Sequence, residues 1–267
     1  MGLLLPHILR LRISSDLLSV SEPIERQRSG GGKRGDIKAF SSESRLRLFK
    51  LMHTLKFKRC TFITLTYPLD FPTDPKIYKS HLQKWRYEIE KRYGKFQTIW
   101  RLEFQKRGAP HYHLLCLDAP FVDVFDLSNL WADITESTSQ IHRKIGVDVK
   151  LVASGNDARL IMAYLAKYVG KIDDRPNIEL ERGVGRWWGK WNIKEEPPIE
   201  IDLPINIGQV VIDRLLEIRK DKKWIPQDKK NCTILGESMG TDDYLKVVIN
   251  TVNLVSQDRE NYLTLLG

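Results

Sequence analysis

The sequence predicts an α+β fold, with a central antiparallel β-sheet, flanking helices and a mostly helical C-terminal tail. Three observations carry that expectation. The run Thr98-Ile99-Trp100-Arg101-Leu102-Glu103-Phe104 is followed, across Lys106-Arg107-Gly108, by a second run from His111 to Leu117, which is the pattern of a β-hairpin. Segments with helical apolar spacing and capping residues alternate with such runs. The 267 residues are 42% hydrophobic and 29% charged, a composition that can bury a core.

In chain order, residues 1–30 read as an N-terminal arm, with Ser29-Gly30-Gly31-Gly32 as a flexible break before the basic Lys33-Arg34. A helix follows over 41–52. Ser41 or Ser42 caps it, and Leu48, Leu51, Met52 and Leu55 form its apolar face. Thr61-Phe62-Ile63-Thr64-Leu65-Thr66-Tyr67, rich in β-branched and aromatic residues, reads as a buried strand ended by Pro68. Residues 75–93 form a helix, apolar through Ile77, Leu82, Trp85 and Ile89 and closed by Gly94.

A further helix is expected over 123–142, with Phe125, Leu127, Leu130, Trp131 and Ile134 inward, and then a short strand over 147–152. Asn156 is the N-cap of a helix through Ala158–Val169 that stops at Gly170. The domain reading is therefore an arm (1–30), a main domain (31–195) and a C-terminal extension of unknown role (196–267), with helix-like segments near 208–222 and 241–257.

The net charge of +9 and an isoelectric point near 9.4 favour a polyanionic partner, either nucleic acid or an anionic membrane surface. No run approaches the roughly 18–20 consecutive apolar residues of a membrane span. The N-terminal Met1-Gly2-Leu3-Leu4-Leu5-Pro6 makes a poor signal peptide. Three scattered cysteines, without a CxxC pair, exclude a disulfide framework and a cysteine zinc finger. The expectation is a soluble cytoplasmic protein whose charge serves nucleic acid.

Two groups of residues carry candidate chemistry. On a strand, His111 and His113 point to one face, since side chains alternate with a period of two. They can offer two ligands to one divalent ion, or be two polar rings on a solvated face. Glu103 lies eight residues earlier, so the hairpin can set its carboxylate on the histidine face and complete a three-ligand site for Mg²⁺ or Mn²⁺. A register slip of one residue would turn Glu103 away and leave the site to Gln105 or to another strand.

The second group is Tyr164 and Tyr168, spaced i, i+4 on one helix and about 6 Å apart, with Lys167 and Lys171 as a neighbouring row. A nearby cation favours the phenolate, which is the nucleophilic form of tyrosine. Two rings at this spacing also pack readily against a sheet.

Together, Phe62-Ile63-Thr64-Leu65-Thr66, His111-Tyr112-His113 and Tyr164-Leu165-Ala166-Lys167-Tyr168-Val169-Gly170-Lys171 resemble, in order and spacing, the three motifs of HUH endonucleases of the rolling-circle replication initiator (Rep) type. The Tyr-x-x-Lys-Tyr-x-x-Lys form is similar to the two-tyrosine branch of phage and small-plasmid initiators. The resemblance covers about residues 31–195.

It implies an HUH/RRM-like nuclease fold and metal-assisted transesterification on single-stranded origin DNA. A 5′-phosphotyrosine and a free 3′-OH primer would result. It also implies His111, His113 and Glu103 as metal ligands, Tyr168 for the first cleavage, Tyr164 for the second or as an assistant, and Lys167 or Lys171 as stabilisers of charge. Lys33, Arg34, Arg45, Arg47, Lys106 and Arg107 would supply phosphate contacts. Trp187 and Trp188, with Trp191, would stack on bases or else sit in the core. The sequence has no helicase P-loop, so strand separation would fall to a host helicase or to supercoiling. Two rivals stand beside it: an origin-binding initiator or repressor that does not cut, which predicts the same basic surface without needing metal, and a metal-dependent phosphodiesterase that uses the histidines and a water nucleophile.

Overall fold

The structure, a computed structural model, describes residues 8–14, 17–22, 40–55, 57–154, 183–218, 232–235 and 241–266. Along the chain these form β1 (Ile8–Ser14), β2 (Leu17–Ser21), α1 (Ser42–His53), β3 (Arg59–Thr66), α2 (Pro75–Tyr93), β4 (Gln97–Phe104), β5 (Pro110–Leu117), α3 (Val124–Ile134), α4 (Gln140–Ile145) and β6 (Val147–Ser154). They continue with β7 (Trp188–Trp191), β8 (Ile199–Pro204), α5 (Ile205–Ile218), β9 (Cys232–Leu235) and α6 (Thr241–Leu266). Two compact units result. One comprises Gly32–Met52 and Lys56–Lys194; the other comprises Met1–Gly31, His53–Leu55 and Glu195–Gly267. The architecture is α+β, with antiparallel sheets flanked by helices.

In the first unit, five antiparallel strands run in the order β6-β3-β5-β4-β7. Alternation gives the sheet two unlike faces. Ile63 and Leu65 of β3, Trp100, Leu102 and Phe104 of β4, and Tyr112, Leu114 and Cys116 of β5 share one face. They pack with Leu82, Trp85 and Ile89 of α2 and Leu127, Leu130 and Trp131 of α3. Each fully buried large side chain contributes about 1.5–3 kcal/mol, so this face supplies most of the driving force for folding the unit. The other face carries Phe62, Thr64, Arg101, Glu103, His111 and His113.

Local signals place the helices. The Asp74 carboxylate accepts the Lys76 N–H at 2.8 Å, Pro75 opens α2, and Gly94, at φ 79°, donates its N–H to the Glu90 carbonyl. Ser41 Oγ accepts the Ser44 N–H at the start of α1. The hairpin between β4 and β5 turns through Gly108 at φ 83°, where Gln105 donates to the Ala109 carbonyl at 2.9 Å. At Gly189 a Cβ would come within 2.7 Å of the Trp100 ring, so the β7 backbone lies against that indole only because position 189 is glycine.

The structure corrects three expectations here. The helix expected over 123–142 is two: Thr135 ends α3, Glu136 takes φ 54°, and the Ser139 side chain recaps the chain by accepting the His142 N–H. Phe125 is 62% exposed rather than inward, and Ile77 on α2 is 45% exposed, because only part of each apolar stripe meets the sheet. The N-terminal segment is not a free arm. Leu9, Leu11 and Ile13 of β1 alternate into a core, and the strand pairs with both β2 and β8.

The second unit is therefore a four-stranded antiparallel sheet, β8-β1-β2-β9, built from both ends of the chain. Its core joins Leu9, Leu11, Leu18 and Val20 to Val211, Ile212 and Leu215 of α5 and to Tyr244 and Val248 of α6. On the opposite face Arg10 grips Asp202 through two hydrogen bonds of 2.7 Å, and Arg12 reaches Glu200 at 2.6 Å.

Candidate functional site

The site is set by strand register. In the β4–β5 ladder Glu103 stands opposite His111 and Arg101 opposite His113. In the β3–β5 ladder Thr64 faces His113 and Thr66 faces His111. Directly paired residues share a face, so these groups converge on the side of the sheet away from α2 and α3. The slip that would have turned Glu103 away has not occurred.

His113 lies at the centre. Its Nε2 is 3.1 Å from Glu103 Oε2, its Nδ1 is 3.4 Å from the Thr64 hydroxyl, and its ring stacks on Phe62 with centroids 5.3 Å apart. The His111 ring lies 4.6 Å from it, centroid to centroid. The second oxygen of Glu103 meets Arg101 Nη1 at 3.0 Å, and the Arg101 guanidinium lies over the Phe40 ring at 5.0 Å. Arg101 and Glu103 are only 7% and 9% exposed. Burial pushes the Glu103 carboxyl up. The hydrogen bond from His113 and the charges of Arg101, His113 and His111 outweigh it and hold the group below the usual carboxylate range. Glu103 is thus an ionised acceptor at neutral pH.

Four further hydrogen bonds lie around these residues. The Thr66 carbonyl, opposite His111, accepts from Trp131 Nε1 at 2.8 Å and from His142 Nε2 at 2.7 Å. The Thr66 N–H donates to the Gly146 carbonyl at 2.8 Å. Near the start of α1, Ser44 Oγ accepts the Trp188 indole N–H at 2.9 Å.

The donor chemistry fits a divalent cation: two imidazoles and an ionised carboxylate meet in a partly dry site. The ligand shell is not ready-made, however. Among the described residues no three His, Cys, Asp or Glu side chains are arranged to hold an ion; Glu103 lies against Arg101 through one oxygen and against His113 through the other. An ion taken up at Glu103 would meet a carboxylate already engaged by both partners.

Residues 60–173 match the family model of the replication-associated protein ORF2/G2P. The match covers less than half of the chain, runs from β3 across the histidine strand, and takes in positions 164, 167, 168 and 171. It supports a replication initiator that acts on DNA. No curated protein matches the chain. No helix among the described residues is long and apolar enough to cross a membrane.

The sequence-predicted residues divide into three groups. His111, His113 and Glu103 are brought together. Tyr164, Lys167, Tyr168 and Lys171, together with Lys33 and Arg34, lie outside the described residues. The expected DNA contacts on described residues fare unevenly. Arg47 and Lys106 are exposed, whereas Arg45 turns to the Phe40 carbonyl at 3.1 Å. Arg107 is committed to the Tyr67 and Pro68 carbonyls at 2.6 Å and lies over Phe71, so it braces a loop.

Of the two alternatives left open for Trp187, the structure takes the core. It is 5% exposed and packs edge-on against Phe104, so its ring is a core element and offers no stacking surface to a base. Trp188 is half-buried and Trp191 belongs to the core. Sequence reasoning missed Arg101 and Thr64. Both were signalled by the period of two, which sets Arg101 on the Glu103 side of β4 and Thr64 on the Phe62 side of β3. Trp131 was expected inward from helical spacing, but its bond to the Thr66 carbonyl, like that of His142, had no local signal.

His142 and His81 tie the unit's stability to pH. Burial lowers the pKa of each; Arg107 and Arg143 add to the effect at His142, and Lys84 adds to it at His81. The folded state therefore binds protons less readily than the unfolded chain, whose imidazoles titrate near about 6.5. The stability these neutral rings contribute is complete above that pH and is lost as pH falls through it towards the folded values. The urea midpoint is expected to fall between about pH 6.5 and 5, and a His81→Gln/His142→Asn variant should show a shallower decline than the wild type.

Proposed function

We propose that the protein is a rolling-circle replication initiator of the HUH endonuclease type, which nicks and rejoins single-stranded origin DNA. The observation that carries this reading is the β4–β5 register, which sets Glu103 opposite His111 and its carboxylate within 3.1 Å of His113. The replication-associated match over residues 60–173 supports the same conclusion.

In this reading the hydroxyl of Tyr168 or Tyr164 loses its proton and attacks the scissile phosphorus. The bond from phosphorus to the 3′ oxygen breaks and a bond from phosphorus to the tyrosine oxygen forms. The 5′ end stays on the protein as a phosphotyrosine, and the departing 3′ oxygen takes up a proton to become a primer hydroxyl. Lys167 and Lys171 stabilise phenolate or phosphate charge. His111, His113 and Glu103 would hold Mg²⁺ or Mn²⁺, which when bound polarises a phosphate oxygen. With two tyrosines, one can cut at initiation and the other at termination. Strand opening is left to a host helicase or to supercoiling.

The experiment uses 3′-labelled single-stranded oligonucleotides, tiled across the DNA flanking the gene and incubated with Mn²⁺. The expected result is a labelled protein band that withstands denaturing electrophoresis and is absent from the Tyr164→Phe/Tyr168→Phe variant. Cleavage without a labelled band would replace the proposal with a water-using phosphodiesterase. Binding without cleavage would replace it with an origin-binding repressor.

A further inference from the structure

Arg101 is the feature of the site that a metal-binding trio does not call for. It lies on the histidine face, opposite His113 in the ladder, 7% exposed, with Nη1 3.0 Å from Glu103 and its guanidinium over Phe40. Holding a cation in such a place is unfavourable, because it is stripped of water, unless an anion offsets it. Here that anion is the same carboxylate the proposed metal site needs.

Charge counting shows the consequence. Leaving the imidazoles aside, Arg101 and Glu103 sum to zero. A divalent ion alone would leave two uncompensated positive charges in a site of low dielectric, which is unfavourable. One DNA phosphodiester reduces that to one. In attack by a phenolate the phosphoryl group gains a further negative charge, and the sum over ion, phosphate, Arg101 and Glu103 becomes zero. Without Arg101 the site would already be neutral with the ground-state phosphate and would be one charge too negative in the transition state. A cation that balances only the developing charge lowers the barrier, whereas one that balances the ground state does not. The guanidinium fork fits a carboxylate and a phosphate equally well, so Arg101 can pass from one to the other.

We propose that Arg101 is a partner-exchanging cation that couples metal binding to DNA binding: it holds Glu103 in the free protein and turns to the scissile phosphate when Glu103 turns to the ion. This inference rests on the metal-site reading given under Proposed function. It makes the metal-free, DNA-free site self-neutralised and poor at binding either ligand alone.

The test is made with the full chain carrying Tyr164→Phe/Tyr168→Phe, so that no cleavage intervenes. The probes are Mn²⁺, followed by the electron paramagnetic resonance signal of the free ion, and single-stranded oligothymidylate. Oligothymidylate is expected to tighten Mn²⁺ binding by about 5- to 150-fold, the range of ordinary coupling between sites, and Mn²⁺ should tighten oligothymidylate binding by the same factor. Adding Arg101→Met should tighten Mn²⁺ binding in the absence of DNA and remove most of the coupling. Arg101→Lys, which keeps a cation, should retain coupling.

Absence of coupling in the parent protein would overturn the proposal whether or not the methionine variant folds. Undiminished coupling in Arg101→Met would overturn it too, since the general attraction of Mn²⁺ to DNA is the same in both. A His111→Ala/His113→Ala arm separates the two levels. If Mn²⁺ binding survives it, the metal-site reading falls and this inference with it. If binding is lost there but Arg101 substitutions change nothing, only the coupling role falls.

Discussion

Replacing His111 and His113 together by alanine is expected to lower the yield of covalent protein–DNA adduct by roughly 10²–10⁴-fold while leaving the urea midpoint close to wild type. Replacing Tyr112, the residue between them, is expected to do the reverse. The physical reason is the alternation of β5. His111 and His113 are half-buried on the open face, where they touch Thr64, Glu103 and Phe62. Tyr112 is 0% exposed on the core face, lies edge-on to Trp100 at 6.3 Å and donates its hydroxyl to the Tyr78 carbonyl at 3.1 Å.

Truncating so large a buried side chain costs about 3–5 kcal/mol, lost contacts and residual cavity together, which is a large share of a domain's stability. Urea denaturation and adduct assays on the same preparations would separate the two effects. A histidine double variant as unstable as Tyr112→Ala would mean that the pair serves packing rather than chemistry.

The second large effect is expected at Glu103. Glu103→Ala removes the counter-ion of Arg101 and leaves a guanidinium buried to 93% of its reference surface without that carboxylate, a change that typically costs about 3–5 kcal/mol. Glu103→Gln keeps the shape and a hydrogen-bond acceptor, so its loss should be smaller. A double variant, Arg101→Met/Glu103→Leu, removes both charges and should recover much of the stability lost in Glu103→Ala, because the two residues are in contact and their effects do not add. A Glu103→Ala unfolding free energy within about 1 kcal/mol of wild type would show that water reaches the pair in solution and that the low exposure of Arg101 carries no energetic weight.

The sequence put Tyr164 and Tyr168 about fifty residues after the histidine strand, and both lie outside the described residues. The hairpin turn at Gly108 and the alternation on either side of it were enough to place Glu103, His111 and His113 on one face, because strand register next to a short loop is governed by a few adjacent residues. The caps of α2 were legible for the same reason: Asp74, Pro75 and Gly94 act on neighbours within one turn. The likeness of the three motifs to replication initiators likewise rests on short segments in a fixed order.

Other features depended on residues far apart in the chain. The alternation in Ile8–Ser14 was present, but it became a strand only by pairing with Ile199–Pro204, and the Arg10–Asp202 contact joins positions 192 residues apart. No local rule connects them. Trp187 and Trp188 are adjacent and chemically identical. One is core and the other half-buried, because β7 sends its neighbours to opposite sides of the sheet and Phe104 covers only the first. Arg101 could be placed on the Glu103 side of β4 by counting. That it is buried, ion-paired and laid over Phe40 was decided by packing of the segment leading into α1 against this face. Side-chain direction is a property of a strand and its nearest turn. Burial, and with it the energetic weight of a charge, depends on what the rest of the chain brings to cover it.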